Sequence, residues 1–196
     1  MSGRLATAIL ATGTTWQDAE SASALAYYEE MPILLTKPTS LPAVTVAALQ
    51  DLNIKQVILM GGQIAVSNAV VTTLEGMTIT VIRVAGKDYT DTAVKLATME
   101  FATAGLTLGF TYFGTGKVLI ARGDYYTDGL AGAVLEHRTT GVPLLLTFNP
   151  STLGSYLPTF LKGVNAAYGV THATILGGPL AVTPAEIAAI DTDIAH

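Results

Sequence analysis

Apolar residues fall along this chain in two alternating patterns. Short apolar runs, of the kind that form strands covered on both faces, are separated by longer stretches with apolar positions at helical spacing. The runs predict strands over 5–11, 32–36, 56–60, 79–84, 117–121, 143–147 and 172–176. The stretches between them predict helices over about 16–30, 42–52, 66–75, 89–104, 125–139, 152–168 and 183–194. Strand and helix in regular alternation define an α/β chain with a mostly parallel sheet. Start signals support several helices. Pro42 stands at a first-turn position after Leu41, Ser67 and Thr183 can cap, and Thr183 is followed by Pro184 and then Glu186 as in a capping box.

The pattern occurs twice. Ala11-Thr12-Gly13-Thr14-Thr15-Trp16-Gln17-Asp18, then Pro32 to Thr36, then Ile58-Leu59-Met60-Gly61-Gly62 return as Ala121-Arg122-Gly123-Asp124-Tyr125-Tyr126-Thr127-Asp128, Pro143 to Thr147, and Ile175-Leu176-Gly177-Gly178. The offset is 128 − 18 = 110 at the aspartate and 177 − 61 = 116 at the first glycine, so the order is kept and only loops change length. Each copy is large enough to contain its own βα units, unlike the 20–50-residue periods of solenoids. The predicted organisation is a first module over 1–104, a glycine- and aromatic-rich connector over 105–116, and a second module over 117–196 that is completed by 83–104 or by a partner strand. The connector is read as a plain link or a flap against a neighbouring chain.

Composition narrows the partners. The 196 residues are 50% hydrophobic and only 13% charged, with a mean hydropathy of +0.48. No run reaches the roughly 20 apolar residues that cross a bilayer. The apolar excess is therefore assigned to a doubly covered sheet and to contacts between chains, predicting a homo-oligomer or polymer. A net charge of −5, with basic residues scattered singly, gives no footprint for nucleic acid. There is no cysteine, so thiol chemistry and zinc–thiolate sites are excluded. The stretch from Leu5 to Ala11 is too short and too polar for a signal peptide, so the chain is read as unsecreted or already processed.

The expected chemistry is binding. Gly61-Gly62 and Gly177-Gly178 follow strands, where glycine permits a sharp turn that either leaves amides free for an anion or simply packs strand against helix. In parallel sheets ligands collect beyond the carboxyl ends of strands, and Thr36, Thr147, Arg122 and Asp124 are expected there. Arg83 and Arg122 offer planar forks suited to phosphate or carboxylate, or else pair with Asp88, Asp124 or Asp128. Asp18 and Asp128, read at the second turn of a helix, suit its positive end. No nucleophile elbow, Walker lysine, dinucleotide fingerprint or zinc-protease motif is present. His137, His172 and His196 are isolated, and Asp191-Thr192-Asp193 lies in a predicted helix. No catalytic residue, metal or cofactor is expected.

These motifs together resemble the type 2 cell-wall-binding repeat of bacterial surface proteins. Arg83 to Ala93 resembles the arginine-bearing strand and helix that join one repeat to the next. The resemblance implies two tandem Rossmann-like or Toprim-like modules, each a mostly parallel sheet flanked by helices, at the cell surface. It implies non-covalent binding of an anionic cell-wall glycopolymer, with Arg83, Arg122, Asp124, Asp128, Thr36, Thr147, Gly61, Gly62, Gly177 and Gly178 as candidate contacts. The sequence departs from the family pattern at Thr12 and Thr14, which replace an arginine and an acid, and at Tyr89 and Thr90. The second half has no version of the Val81 to Gly86 strand, which is read either as a strand supplied by another copy or as a plain C-terminal truncation. Two readings stand: a polymer-binding surface module, or a structural subunit of an extracellular layer, sheath or filament.

Overall fold

The computed structural model describes residues 5–102, 116–135 and 141–195. Its elements follow the predicted alternation: β1 (Thr7–Thr12), α1 (Gln17–Ser21), α2 (Ser23–Tyr28), β2 (Ile33–Thr36), α3 (Ala43–Asp51), β3 (Gln56–Met60), α4 (Asn68–Gly76), β4 (Thr80–Val84), α5 (Tyr89–Phe101), β5 (Lys117–Arg122), α6 (Thr127–Gly132), β6 (Leu144–Thr147), α7 (Leu157–Tyr168), β7 (His172–Ile175) and α8 (Pro184–Ile194). All seven strands lie within a residue or two of their expected spans. The strands form two wholly parallel sheets, in the orders β2-β1-β3-β4 and β6-β5-β7. The fold is α/β, and β6-β5-β7 of the second sheet repeats the order β2-β1-β3 of the first. Among the described residues the second has no fourth strand.

Burial explains the apolar strands. Every residue of β1 and β3 is buried, because helices cover both faces of the first sheet. Ala8, Leu10, Val57 and Leu59 pack on one face with Leu49 of α3 and with Val70 and Leu74 of α4. Ile9, Ala11, Ile58 and Met60 face the other way, into a cluster shared with α2, α5 and the second sheet. One apolar core therefore runs through both halves. Helix α5 follows the first sheet in the chain, yet it packs on β6 and α7 of the second half as well as on α1.

Three local expectations are corrected. The helix expected over 16–30 breaks at Ala22 into α1 and α2. There Ser21 Oγ donates to the Asp18 carbonyl at 3.1 Å and Ser23 Oγ to the Glu20 carbonyl at 2.5 Å, competing with the helical ladder. The helix expected from 152 starts only at Leu157, since Asn149 and Thr152 close a small bridged turn first. Ser67 occupies an N-cap position but its side chain makes no cap bond, and its buried hydroxyl has no partner. Thr183 does cap α8, accepting from the Glu186 amide at 3.4 Å. His137, His196 and nearly all of the 105–116 connector lie outside the described residues.

Candidate functional site at the strand ends

In the first sheet the chain runs from β1 to β2 on one side and then crosses to β3 on the other. The turns after β1 and β3 thus diverge and leave a crevice at the carboxyl ends of the strands, the usual place for a ligand in such sheets. A cleft of about 520 Å³ opens there, lined by Thr12, Thr14, Asp18, Gly61, Gly62 and Gln63 on one side and by Lys87, Asp88 and Tyr89 on the other. Lys87 is exposed and brings a cation to this rim.

The glycine turn is shaped by the helix aspartate. Gly61 has φ of +92°, and a Cβ there would fall 2.4 Å from Asp18 Oδ2 and 2.9 Å from Ala65 Cβ. Gly177 repeats this with φ of +93°, Asp128 Oδ2 at 2.5 Å and Ala181 Cβ at 2.6 Å. In each half the protein's own carboxylate lies against the first glycine, and the second glycine, Gly62 or Gly178, faces open space. Burial raises the pKa of Asp18. Both aspartates sit in the first turn of their helices, one turn earlier than expected.

The arginines divide between two tasks. Arg83 Nη1 donates to the carbonyls of Gly61 at 2.8 Å and Val66 at 2.9 Å, clamping the turn that carries the glycine pair. Its Nη2 is buried without a partner, and burial lowers the pKa of the guanidinium. Arg122 is instead held by Asp124 in a two-point fork, Nε to Oδ1 at 2.8 Å and Nη2 to Oδ2 at 2.9 Å. These hydrogen bonds raise the arginine pKa and lower that of Asp124. The corresponding place in the first half is uncharged: Thr12 Oγ1 and Thr14 Oγ1 lie 2.8 Å apart. Thr36 and Thr147 spend their hydroxyls on the backbone, at Lys37, Ser40 and Asn149. Asp18, Gly61 and Gly62 thereby line one strand-end cleft, with Arg83 holding the turn that carries them, while Arg122, Asp124, Asp128, Gly177 and Gly178 belong to the equivalent turns of the second half.

Sequence reasoning passed over an aromatic row on this same end of the molecule. Trp16 and Tyr126 hold equivalent positions at the starts of α1 and α6. Their rings meet edge to face at 6.0 Å, and Tyr126 stacks on Tyr125 at 5.3 Å. The equivalence of Trp16 and Tyr126 in the repeat was the available signal. Lys87 and Tyr89 were also passed over as site residues. Tyr89 lies against Gly123, and its hydroxyl donates to the Phe148 carbonyl at 2.5 Å, so the start of α5 is fixed to the second half.

The geometry thus defines a duplicated α/β module with an open cleft at the strand ends of its first half. This chain belongs to the cell wall binding domain 2 (CWB2) family, whose model matches residues 2–71 and 83–187. It is similar to the N-acetylmuramoyl-L-alanine amidase LytC of Bacillus subtilis (strain 168), 30% identical over 173 residues that make up 88% of this chain and 31% of LytC. It spans about a third of that relative. In fold it is similar to Cwp6 from Clostridium difficile, with a TM-score of 0.76 and 23% identity over 96% of this chain and 28% of that one. Cwp8 from Clostridium difficile matches with a TM-score of 0.72 and 24% identity over 98% and 30% of the respective chains. Among the described residues no helix is long and apolar enough to cross a membrane, and no group of three or more histidine and carboxylate side chains could hold a metal.

Proposed function

We propose that this chain is a non-catalytic surface module that holds an anionic cell-wall glycopolymer at the strand-end face of its two halves. The observation that carries this reading is the open cleft at the β1–β3 switch point, with exposed Lys87 on its rim, in a chain of a wall-binding family. Lys87 provides the cationic contact, with the Gly62 and Gly178 turns giving a polymer close access to the backbone, while Arg122 is already paired with Asp124. Arg83 acts through the loop it clamps. A shallow surface of this kind suits an extended chain better than a small enclosed substrate.

The test is retention on purified Gram-positive walls before and after extraction of their anionic polymers. Retention by intact walls and its loss after extraction support the reading; equal retention by both refutes anion recognition. Lys87→Gln should weaken retention several-fold and reduce its salt dependence, because an exposed charge acts through screened attraction.

A second reading, assembly into a surface layer or filament, rests on a separate observation. Leu130, Val134 and Leu135 are 60%, 51% and 63% exposed on and just after α6. Their equivalents in the first half, Glu20, Ala24 and Leu25, are 4%, 0% and 0% exposed. The second half leaves open the face that the first half buries, as a self-associating subunit would. Light scattering of the wild type and of Val134→Asp decides it: a concentration-dependent oligomer abolished by the substitution supports assembly, and a wild-type monomer at high concentration removes it.

A further inference from the structure

We propose that Trp16, Tyr126 and Tyr125 form a stacking platform for the sugar rings of a wall glycan, bridging the two halves. This rests on the wall-binding reading above and names which part of the polymer this surface receives. Trp16 is 40% exposed, Tyr125 49% and Tyr126 47%. Exposed aromatics in contact with one another, lying in sequence directly beyond the ends of β1 and β5, are an unusual surface for a module that needs none of them in its core.

Three features favour a sugar over the alternatives. The rings have polar ends, an indole N–H and two phenol hydroxyls, so each combines an apolar face with a hydrogen-bonding tip. That combination matches a pyranose, whose C–H face is apolar and whose edge is ringed by hydroxyls. The aliphatic row of Leu130, Val134 and Leu135 lacks such tips and suits a protein partner. Second, the neighbouring charge is already spent: Arg122 lies 5.7 Å from the centre of the Tyr125 ring while its fork is occupied by Asp124. The guanidinium therefore stiffens the platform, and the ion pair supplies hydroxyl partners without an uncompensated charge that would demand phosphate. Third, neighbouring ring centres lie 6.0 and 5.3 Å apart, so the three rings form one contiguous patch. It crosses from one half to the other, with Trp16 from the first copy and the two tyrosines from the second.

Trp16 is the single tryptophan of the chain, so its fluorescence reports this site alone. The probes are chitotetraose, a neutral tetramer of N-acetylglucosamine, and poly(glycerol phosphate), an anionic polymer without sugar rings in its backbone. The expected result is a saturable change in Trp16 emission with chitotetraose and none with poly(glycerol phosphate). Tyr126→Ala should weaken chitotetraose binding about tenfold, the upper range for one aromatic contact, and Tyr126→Phe, which keeps the ring and loses only the hydroxyl, should weaken it less, with circular dichroism unchanged in both. Failure takes recognisable forms. A wild type retained on walls whose emission ignores chitotetraose overturns the platform and leaves the wall-binding reading standing. Loss of wall retention with an intact chitotetraose response does the reverse. A response to poly(glycerol phosphate) alone assigns the site to phosphate, and an emission change that depends on protein concentration without sugar assigns it to a second copy; either overturns the proposal.

Discussion

Gly61 and Gly177 are fixed by two constraints at once, a left-handed backbone and a carboxylate placed where a Cβ would go. Gly61→Ala should therefore cost roughly 2–4 kcal/mol, combining backbone strain with overpacking. Gly62→Ala, which meets nothing within 4 Å, should stay within about 0.5 kcal/mol of wild type. Urea unfolding of the pair checks the contrast, and similar losses in both would show that the turn is not set by Asp18. The repeat made the glycines legible, but their neighbour was hidden because Asp18 and Gly61 are 43 residues apart. Glu20 was invisible for the same kind of reason. It lies 4% exposed against Gly129 of the other half, and neither oxygen has a hydrogen-bond partner of good geometry. Burial pushes its pKa up to about 8; the nearby Leu130 amide lowers it and the Asp128 charge raises it further. The folded state thus holds this proton more tightly than the unfolded chain does. The contribution of Glu20 to stability should be constant below about pH 4.5, fall as pH rises toward 8, and level off beyond. Glu20→Gln should remove a part of that fall worth roughly 2–4 kcal/mol, read from denaturation midpoints between pH 5 and 9. Fully buried Glu100, whose pKa is raised by burial, contributes with the same sign and remains in the variant.

Among the elements, α5 shows how a helix start can be dictated locally and used globally. Asp88 Oδ1 accepts from the Asp91 amide at 2.9 Å and from the Thr90 hydroxyl at 2.7 Å. Asp91 Oδ2 in turn accepts from the Lys87 amide at 2.8 Å. Asp88→Ala should cost about 1–2 kcal/mol, the usual range for losing an N-cap, and Asp88→Ser should recover most of it. Thermal unfolding of the two variants measures this, and an unchanged midpoint in the alanine variant would remove the capping role. Gly86 belongs to the same device, since a Cβ there would lie 2.3 Å from the Thr92 amide nitrogen. The strands were legible because apolar runs between turn residues have few other fates in a doubly covered sheet. The break at Ala22 and the late start of α7 were not, because each depends on serine or asparagine hydrogen bonds that compete with helix over only a few residues. Charge pairing was legible as alternatives alone. Spacing allowed Arg122 to meet Asp124 or Asp128, and only the turn after β5 decides for Asp124.

The molecule as a whole is more tightly joined than its duplicated sequence suggests. Helix α5 packs on β6 and α7, α1 touches α6 and β6, and Phe101 at the end of α5 stacks on Tyr168 of α7 at 4.9 Å. The core cluster that begins at Ile9 and Ile58 in the first sheet continues to Val118, Ile120 and Leu145 in the second. Tandem domains joined by a small polar interface unfold separately, whereas a shared apolar core couples them. The two halves should therefore unfold in a single transition. Trp16 reports the contact between the halves and far-UV circular dichroism reports all helices, so their urea curves should superimpose with one midpoint and one slope. Leu96 on α5 is 1% exposed within that core, and Leu96→Ala should shift both curves together by roughly 2–4 kcal/mol. If the two probes separate in the wild type, the halves are independent; if they separate only in Leu96→Ala, α5 is the element that makes them one.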